Sequence, residues 1–219
     1  MTGEAIEVTA GEPAEFQRPT LAEVREVLRR YGALIVHFSS VPAMKSTWGS
    51  ELSRAFPEDL QYAACAPVCR EGLCCSTVKP TDKFGTWANA SGCVGLILGV
   101  TGPKSIRDVD PEGCGSFALE PGGPRVFPNE DRDITAAVLE ETIVRQLPDG
   151  YNEWGVRDFE VLGIFAVSPF EVIRDGVFTD LGAIAKAFPT QRIYSFVDGR
   201  LVRREGDAWV EAEHGELYP

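Results

Sequence analysis

Residues 33–38 read ALIVHF, and this run constrains the fold more than any other part of the chain. Successive side chains of a strand point to opposite faces, so a run apolar at nearly every position is apolar on both. Such a strand belongs in the middle of a sheet covered on both sides. Other elements must therefore supply two layers around it. One stands just upstream: Thr20 and Glu23 form the S/T-x-x-E pattern of a capping box, and Leu21, Val24, Val27 and Leu28 share one helical face up to Tyr31. Gly32 follows as a stop. Residues 46–64 read as a helix interrupted at Pro57, which can only open a second one.

Beyond Cys74 the texture changes to short strands, 76–78, 92–100 and 106–109, separated by Pro/Gly turns such as Thr101-Gly102-Pro103. Asn129 is placed to cap a helix running to about Leu147, with Ile134, Val138, Ile143, Val144 and Leu147 as its apolar stripe. Pro148-Asp149-Gly150 ends it. Residues 151–156 and 159–168 read as strands joined by a tight turn or bulge at Arg157-Asp158, and Thr179 caps a short helix through Phe188. Strands at 192–197 and 201–204 flank Asp198-Gly199, the strongest hairpin signal in the chain, and Glu205-Gly206-Asp207 turns into a last strand at 208–212. No repeat or linker divides the sequence. The expected architecture is α+β: a loose arm over 1–18, then one domain over 19–219. In that domain a central mixed or antiparallel sheet carries flanking helices and a C-terminal β-meander.

The charge narrows the partners. Lys and Arg number 21 against 33 Asp and Glu, a formal net charge of −12. Nucleic-acid binding by counterion release needs a basic contact face, so a simple nucleic-acid binder is disfavoured. A negative surface that caps a basic partner or mimics DNA stays open. The first residues are acidic and lack the basic and apolar regions of a signal peptide, and the longest apolar stretches, such as 92–100, are too short to span a bilayer. A cytoplasmic protein with no membrane partner is expected. Cys65, Cys69, Cys74 and Cys75 crowd one segment, with Cys93 and Cys114 apart. Paired CxxC knuckles are missing, so reduced structural thiols are expected rather than a zinc site or a disulfide framework.

No phosphate-binding GxxxxGK[ST], GxSxG elbow or HExxH helix occurs, and two histidines leave little room for histidine-based catalysis. Chemistry has to come from carboxylates, hydroxyls and backbone. His37 stands near the end of its strand, where it is either a buried imidazole bonded to a carbonyl or a ligand contact at the sheet edge, with Ser39 beside it. Glu153 in Tyr151-Asn152-Glu153-Trp154 is either an exposed edge acid or an acid lining a cleft, sharing its face with Tyr151. Ser76-Thr77 adds hydroxyls on a further strand, as strand filling or as contacts.

Taken in order, His37-Phe38-Ser39 on a first strand, Ser76-Thr77 on a later one and the acid of YNEW resemble the layout of ADP-ribosyltransferases. The nearest resemblance is to the DarT-type DNA ADP-ribosyltransferase toxins. It implies NAD as substrate, bound by His37, Ser39, Ser76, Thr77 and Tyr151, with no metal. Glu153 would be the catalytic acid, bonding a ribose hydroxyl and stabilising the oxocarbenium-like state as nicotinamide leaves. Tyr151 or Trp154 would shield the site from water. The family's paired arginines lack a clear counterpart, and Tyr151 stands where a Glu or Gln is usual. Transfer to a protein or nucleic acid and plain NAD hydrolysis therefore both remain open. The rival reading is an acidic non-enzymatic interaction protein, such as an immunity, inhibitor or DNA-mimic protein. His37 and Glu153 lining one concave site point to the enzyme; their separation points to the binder.

Overall fold

The computed structural model describes residues 16–38, 73–83, 94–110, 133–146, 152–167, 173–174, 177–178, 181–187 and 189–219. The first helix, α1 (Leu21–Tyr31), opens as its sequence demands. The Glu23 N–H donates to Thr20 Oγ1 and the Thr20 N–H donates to Glu23 Oε2, so two otherwise orphaned donors are satisfied. Gly32 ends it at φ 59°, the left-handed conformation that costs glycine nothing, and donates to the Arg29 carbonyl. The chain then enters β1 (Leu34–Phe38), in which all residues but His37 are buried.

The fold is α+β. Among the described residues a nine-stranded mixed sheet takes in β1, β2 (Leu73–Val78), β3 (Val94–Val100), β4 (Ile106–Asp110), β5 (Glu153–Val156) and β6 (Phe159–Ala166). A C-terminal series completes it: β9 (Ile193–Val197), β10 (Arg200–Glu205) and β11 (Ala208–Glu211). Its order is β11-β10-β9-β6-β3-β1-β2-β5-β4, with β6 and β9 the one parallel pair among the described residues. Two-residue strands β7 (Ile173–Arg174) and β8 (Val177–Phe178) form a separate ribbon. Helix α2 (Ala136–Arg145) packs beside α1, and α3 (Leu181–Ala187) precedes the meander. Asp198 at φ 49° and Gly199 at φ 75° make the tight β9–β10 hairpin turn that their sequence announces.

Two expectations are corrected. The helix foreseen from Asn129 begins after its N-cap at Thr135, whose Oγ1 accepts from the Val138 N–H; residues 133–135 are not helical. Its inward face is Leu139, Thr142 and Ile143, whereas Val144 is 59% exposed. The inner end of the expected loose arm is tied down. The Gln17 N–H donates to Asp133 Oδ1, and the Gln17 carbonyl accepts from the Ile134 N–H. Arg157-Asp158 is the tight turn expected between β5 and β6, although these two strands do not pair with each other. The interrupted helix foreseen over 46–64 lies outside the described residues.

That last turn reveals the shape of the sheet. Four strand spacings separate β5 from β6, roughly 19 Å in a flat sheet. The three residue steps from Val156 to Phe159 reach at most about 11 Å. The sheet must coil until the end of β5 meets the start of β6. Hydrogen bonds seal this seam: Arg157 N–H to the Ser105 carbonyl at 2.7 Å, and Thr101 N–H to the Asp158 carbonyl at 3.1 Å. Ser105 Oγ adds a bond to the same carbonyl at 2.8 Å. Asp158 takes φ 52° to make the corner, one of two non-glycine residues in the left-handed region among the described residues.

The C-terminus staples the middle of the sheet. The fully buried Tyr218 hydroxyl accepts from the Ile35 N–H at 3.0 Å and donates to the Leu98 carbonyl at 3.0 Å, bridging a register pair of β1 and β3. Burial holds this hydroxyl well above the usual phenol range, so it stays protonated and can donate. His214 stacks on the ring at 5.0 Å and donates from Nε2 to the Ala33 carbonyl. Tyr218→Phe keeps the ring but strips two buried backbone groups of their partner. A loss of about 2 kcal/mol is expected, read as a fall of roughly 4–8 °C in melting temperature.

Candidate functional site

Register decides which candidate residues can meet. β1 pairs with β2 through Ile35↔Thr77 and Val36↔Ser76, and β2 pairs with β5 through Cys75↔Trp154. Continued by one residue, the second register sets Ser76 beside Glu153; the first sets His37 beside Cys75. Residues directly opposite in an antiparallel pair share a face. One face therefore carries Ile35, His37, Cys75, Thr77, Asn152 and Trp154, and it is the face turned to α2, since the Trp154 indole donates to Thr142 Oγ1 at 3.0 Å. The other carries Val36, Phe38, Ser76 and Glu153. Phe38 meets Phe165 edge-on there at 6.2 Å, and Phe165 meets Phe196 at 5.4 Å.

The six candidates are thus divided. Ser76 and Glu153 stand side by side on the far face, 5% and 7% exposed. His37 and Thr77 turn to the helix face, so His37 and Glu153 do not line one concave site. Ser39 and Tyr151 lie outside the described residues. The residues flanking Glu153, Asn152 and Trp154, are both fully buried against α2, and Trp154 is on the wrong side to shield Glu153. Cys75 is buried and in no disulfide; Cys65, Cys69, Cys93 and Cys114 fall outside the described residues.

Acids gather on the far face. β4 pairs with β5 through Asp110↔Glu153 and Asp108↔Gly155, which puts both aspartate positions on the side of Glu153. Asp108 is fully buried, and its Oδ1 accepts from the Val109 N–H at 2.8 Å. Asp108 and Glu153 are therefore two buried acids on one face of the sheet. Sequence reading missed Asp108, although its alternation with Val109 in IRDVD was the available signal.

The helix face holds a second polar system, also missed. The Asn152 carboxamide accepts from the Thr77 N–H at 2.8 Å and donates to Thr77 Oγ1, the Thr142 carbonyl and Gln146 Oε1. Gln146 in turn donates to Asp82 Oδ2 at 3.2 Å, which also accepts from the Lys79 N–H at 2.8 Å. The Lys79 ammonium lies 3.6 Å from Asp82 Oδ1 and donates to the Ile143 carbonyl, where it meets the negative end of α2.

Burial pushes the Asp82 carboxyl up to about 6, against the opposing pull of Lys79. A pKa raised in the folded state gives stability that is complete below 3.8 and is lost as pH rises through about 6. The full effect is roughly 3 kcal/mol. His214 acts oppositely: burial lowers its pKa, so its contribution is present above about 6.5 and lost as pH falls. Asp82→Asn isolates the first effect because His214 is common to both proteins. Urea unfolding from pH 4 to 7 should show wild-type stability falling relative to the variant. A constant difference would contradict the assignment.

Comparison of the chain with protein-family models, with curated proteins and with solved structures finds no match. Among the described residues no helix is long and apolar enough to cross a membrane, and no three His, Cys, Asp or Glu side chains are grouped to hold a metal ion.

Proposed function

We propose that this chain consumes NAD, as an ADP-ribosyltransferase or an NAD glycohydrolase, with Glu153 as its catalytic acid. The observation that carries the reading is the placement of Ser76 and Glu153 together on one buried face of neighbouring strands. This is the serine–acid part of the layout that the sequence resembles. Glu153 accepts a hydrogen bond from a hydroxyl of the nicotinamide ribose, and Ser76 offers a second contact from the adjacent strand. The bond from the ribosyl carbon to nicotinamide breaks and its electron pair leaves with nicotinamide. Positive charge then develops on the ribose beside Glu153 and Asp108. Water or an acceptor nucleophile forms the new bond and gives up its proton. His37 and Thr77 turn to the other face and take no part, so the reading gives up the His37 contact and rests on Ser76 and Glu153.

A second reading, the acidic interaction protein, is favoured by the opposite facing of His37 and Glu153 and by the charge of −12. Incubation of the purified chain with NAD, alone and with protein or nucleic-acid acceptors, separates the two. Released nicotinamide is the expected result. Intact NAD in every mixture, with capture of a basic partner, would establish the second reading instead.

A further inference from the structure

Glu153 has no freedom to choose its face, because both of its neighbours are tied to a single helix residue. On one side Asn152 Nδ2 donates to the Thr142 carbonyl at 3.2 Å; on the other, Trp154 Nε1 donates to Thr142 Oγ1 at 3.0 Å. Thr142 is itself held, its hydroxyl donating to the Leu139 carbonyl at 2.8 Å within α2. With residues 152 and 154 drawn to the helix, alternation along the strand sends 153 to the other side.

Asn152 also sets the neighbour of Glu153. The backbone register of β2 and β5 runs only to Cys75↔Trp154. Two residues on, the Thr77 N–H donates at 2.8 Å to the Asn152 side-chain oxygen in place of a main-chain carbonyl. The ladder is thereby continued by a side chain across the row that holds Ser76 and Glu153. The carboxamide cannot be turned over: its oxygen faces the N–H donor and its nitrogen faces three acceptors, Thr77 Oγ1, the Thr142 carbonyl and Gln146 Oε1. No other side chain of this size offers both an acceptor and two donors in that orientation.

We propose that Asn152 is a positioning residue for Glu153, acting with Thr142 and Trp154 as a clamp that fixes which face the acid occupies and which hydroxyl stands beside it. The proposal rests on Glu153 being the catalytic acid only for its consequence in turnover; the clamp itself is read separately. Asn152→Ala removes the bonds of its carboxamide to Thr77, Gln146 and the Thr142 carbonyl and leaves the Trp154 bond in place. Thr142→Val, which keeps the shape and the main-chain carbonyl but removes the hydroxyl, breaks only the link to Trp154, and Thr142→Ser restores it. Val27→Ala in α1, away from the clamp, serves as a control for lost stability.

Two measurements decide the matter. The side-chain carboxyl of Glu153, assigned by its loss in Glu153→Gln, is titrated by carbon NMR in glutamate-labelled protein. Its midpoint should move by about one pH unit in Asn152→Ala and by less in Thr142→Val, the scale on which altered burial registers. It should return in Thr142→Ser and stay put in Val27→Ala. In NAD turnover, kcat should fall roughly tenfold or more in Asn152→Ala with KM little changed, as misplacement of a reacting group does. If Asn152→Ala does not fold, Thr142→Val against Thr142→Ser carries both measurements. An unmoved Glu153 midpoint in a folded variant, or an equal movement in Val27→Ala, would overturn the clamp. Absence of turnover in the wild type would overturn the enzyme reading alone, leaving the titration to judge the clamp.

Discussion

Glu153→Gln is expected to lower NAD turnover by a factor on the order of 10²–10³ while leaving the protein folded. The substitution keeps shape and the capacity to accept a hydrogen bond, but removes the full negative charge opposite the developing cation. Glu153 is 7% exposed, and the register brings the positions of Asp108 and Asp110 to its own side. Because the substitution keeps the shape of the side chain, the melting temperature should change little. NAD affinity should weaken only modestly, because the charge being stabilised is absent from the ground state. An interaction protein would show no turnover in either form, and its partner affinity would change little on losing one of 33 acids. Turnover at the wild-type rate in the Gln variant would remove Glu153 from the catalytic role.

Gly95→Ala is expected to be the most damaging small substitution in the described core. Gly95 lies opposite Phe38 in the β1–β3 ladder. A Cβ built there would stand 2.5 Å from Val36 Cγ1 and 2.7 Å from the His37 carbonyl oxygen. The second contact is with backbone, so no rotamer change relieves it, and the two central strands would have to part. Overpacking of this kind costs about 3 kcal/mol, a fall of roughly 6–12 °C in melting temperature. Gly215→Ala meets nothing within 4 Å and should be close to neutral, which makes it the matched control. A Gly95→Ala protein that melts with the wild type would show that the strands adjust more easily than close packing allows.

The readings that agree with the structure share a physical character. The Thr20–Glu23 capping box, the stop at Gly32 and the Asp198-Gly199 turn each depend on residues within a few positions, so short-range chemistry settles them. The run 33–38 could be read as an interior strand because being apolar on both faces leaves few other choices. Helix α2 was read less well for an equally definite reason. Hydrophobicity put Val144 inward, whereas the buried positions include Thr142 and Gln146, polar side chains whose bonds to Asn152 and Trp154 make their burial tolerable. A pattern of apolar residues alone does not register such partners.

Sequence by itself determined that this chain forms an α+β fold around an interior strand. It also supplied both residues of the Ser76–Glu153 pair. Only the tertiary structure decided that these two share a face while His37 turns away. Faces are assigned by register, and the register of β2 against β5 is a pairing between residues more than seventy positions apart. A slip of one residue would exchange every side chain between the two faces. No local pattern carries that information; here it is held by Asn152 bonded to Thr77 and by Trp154 bonded to Thr142.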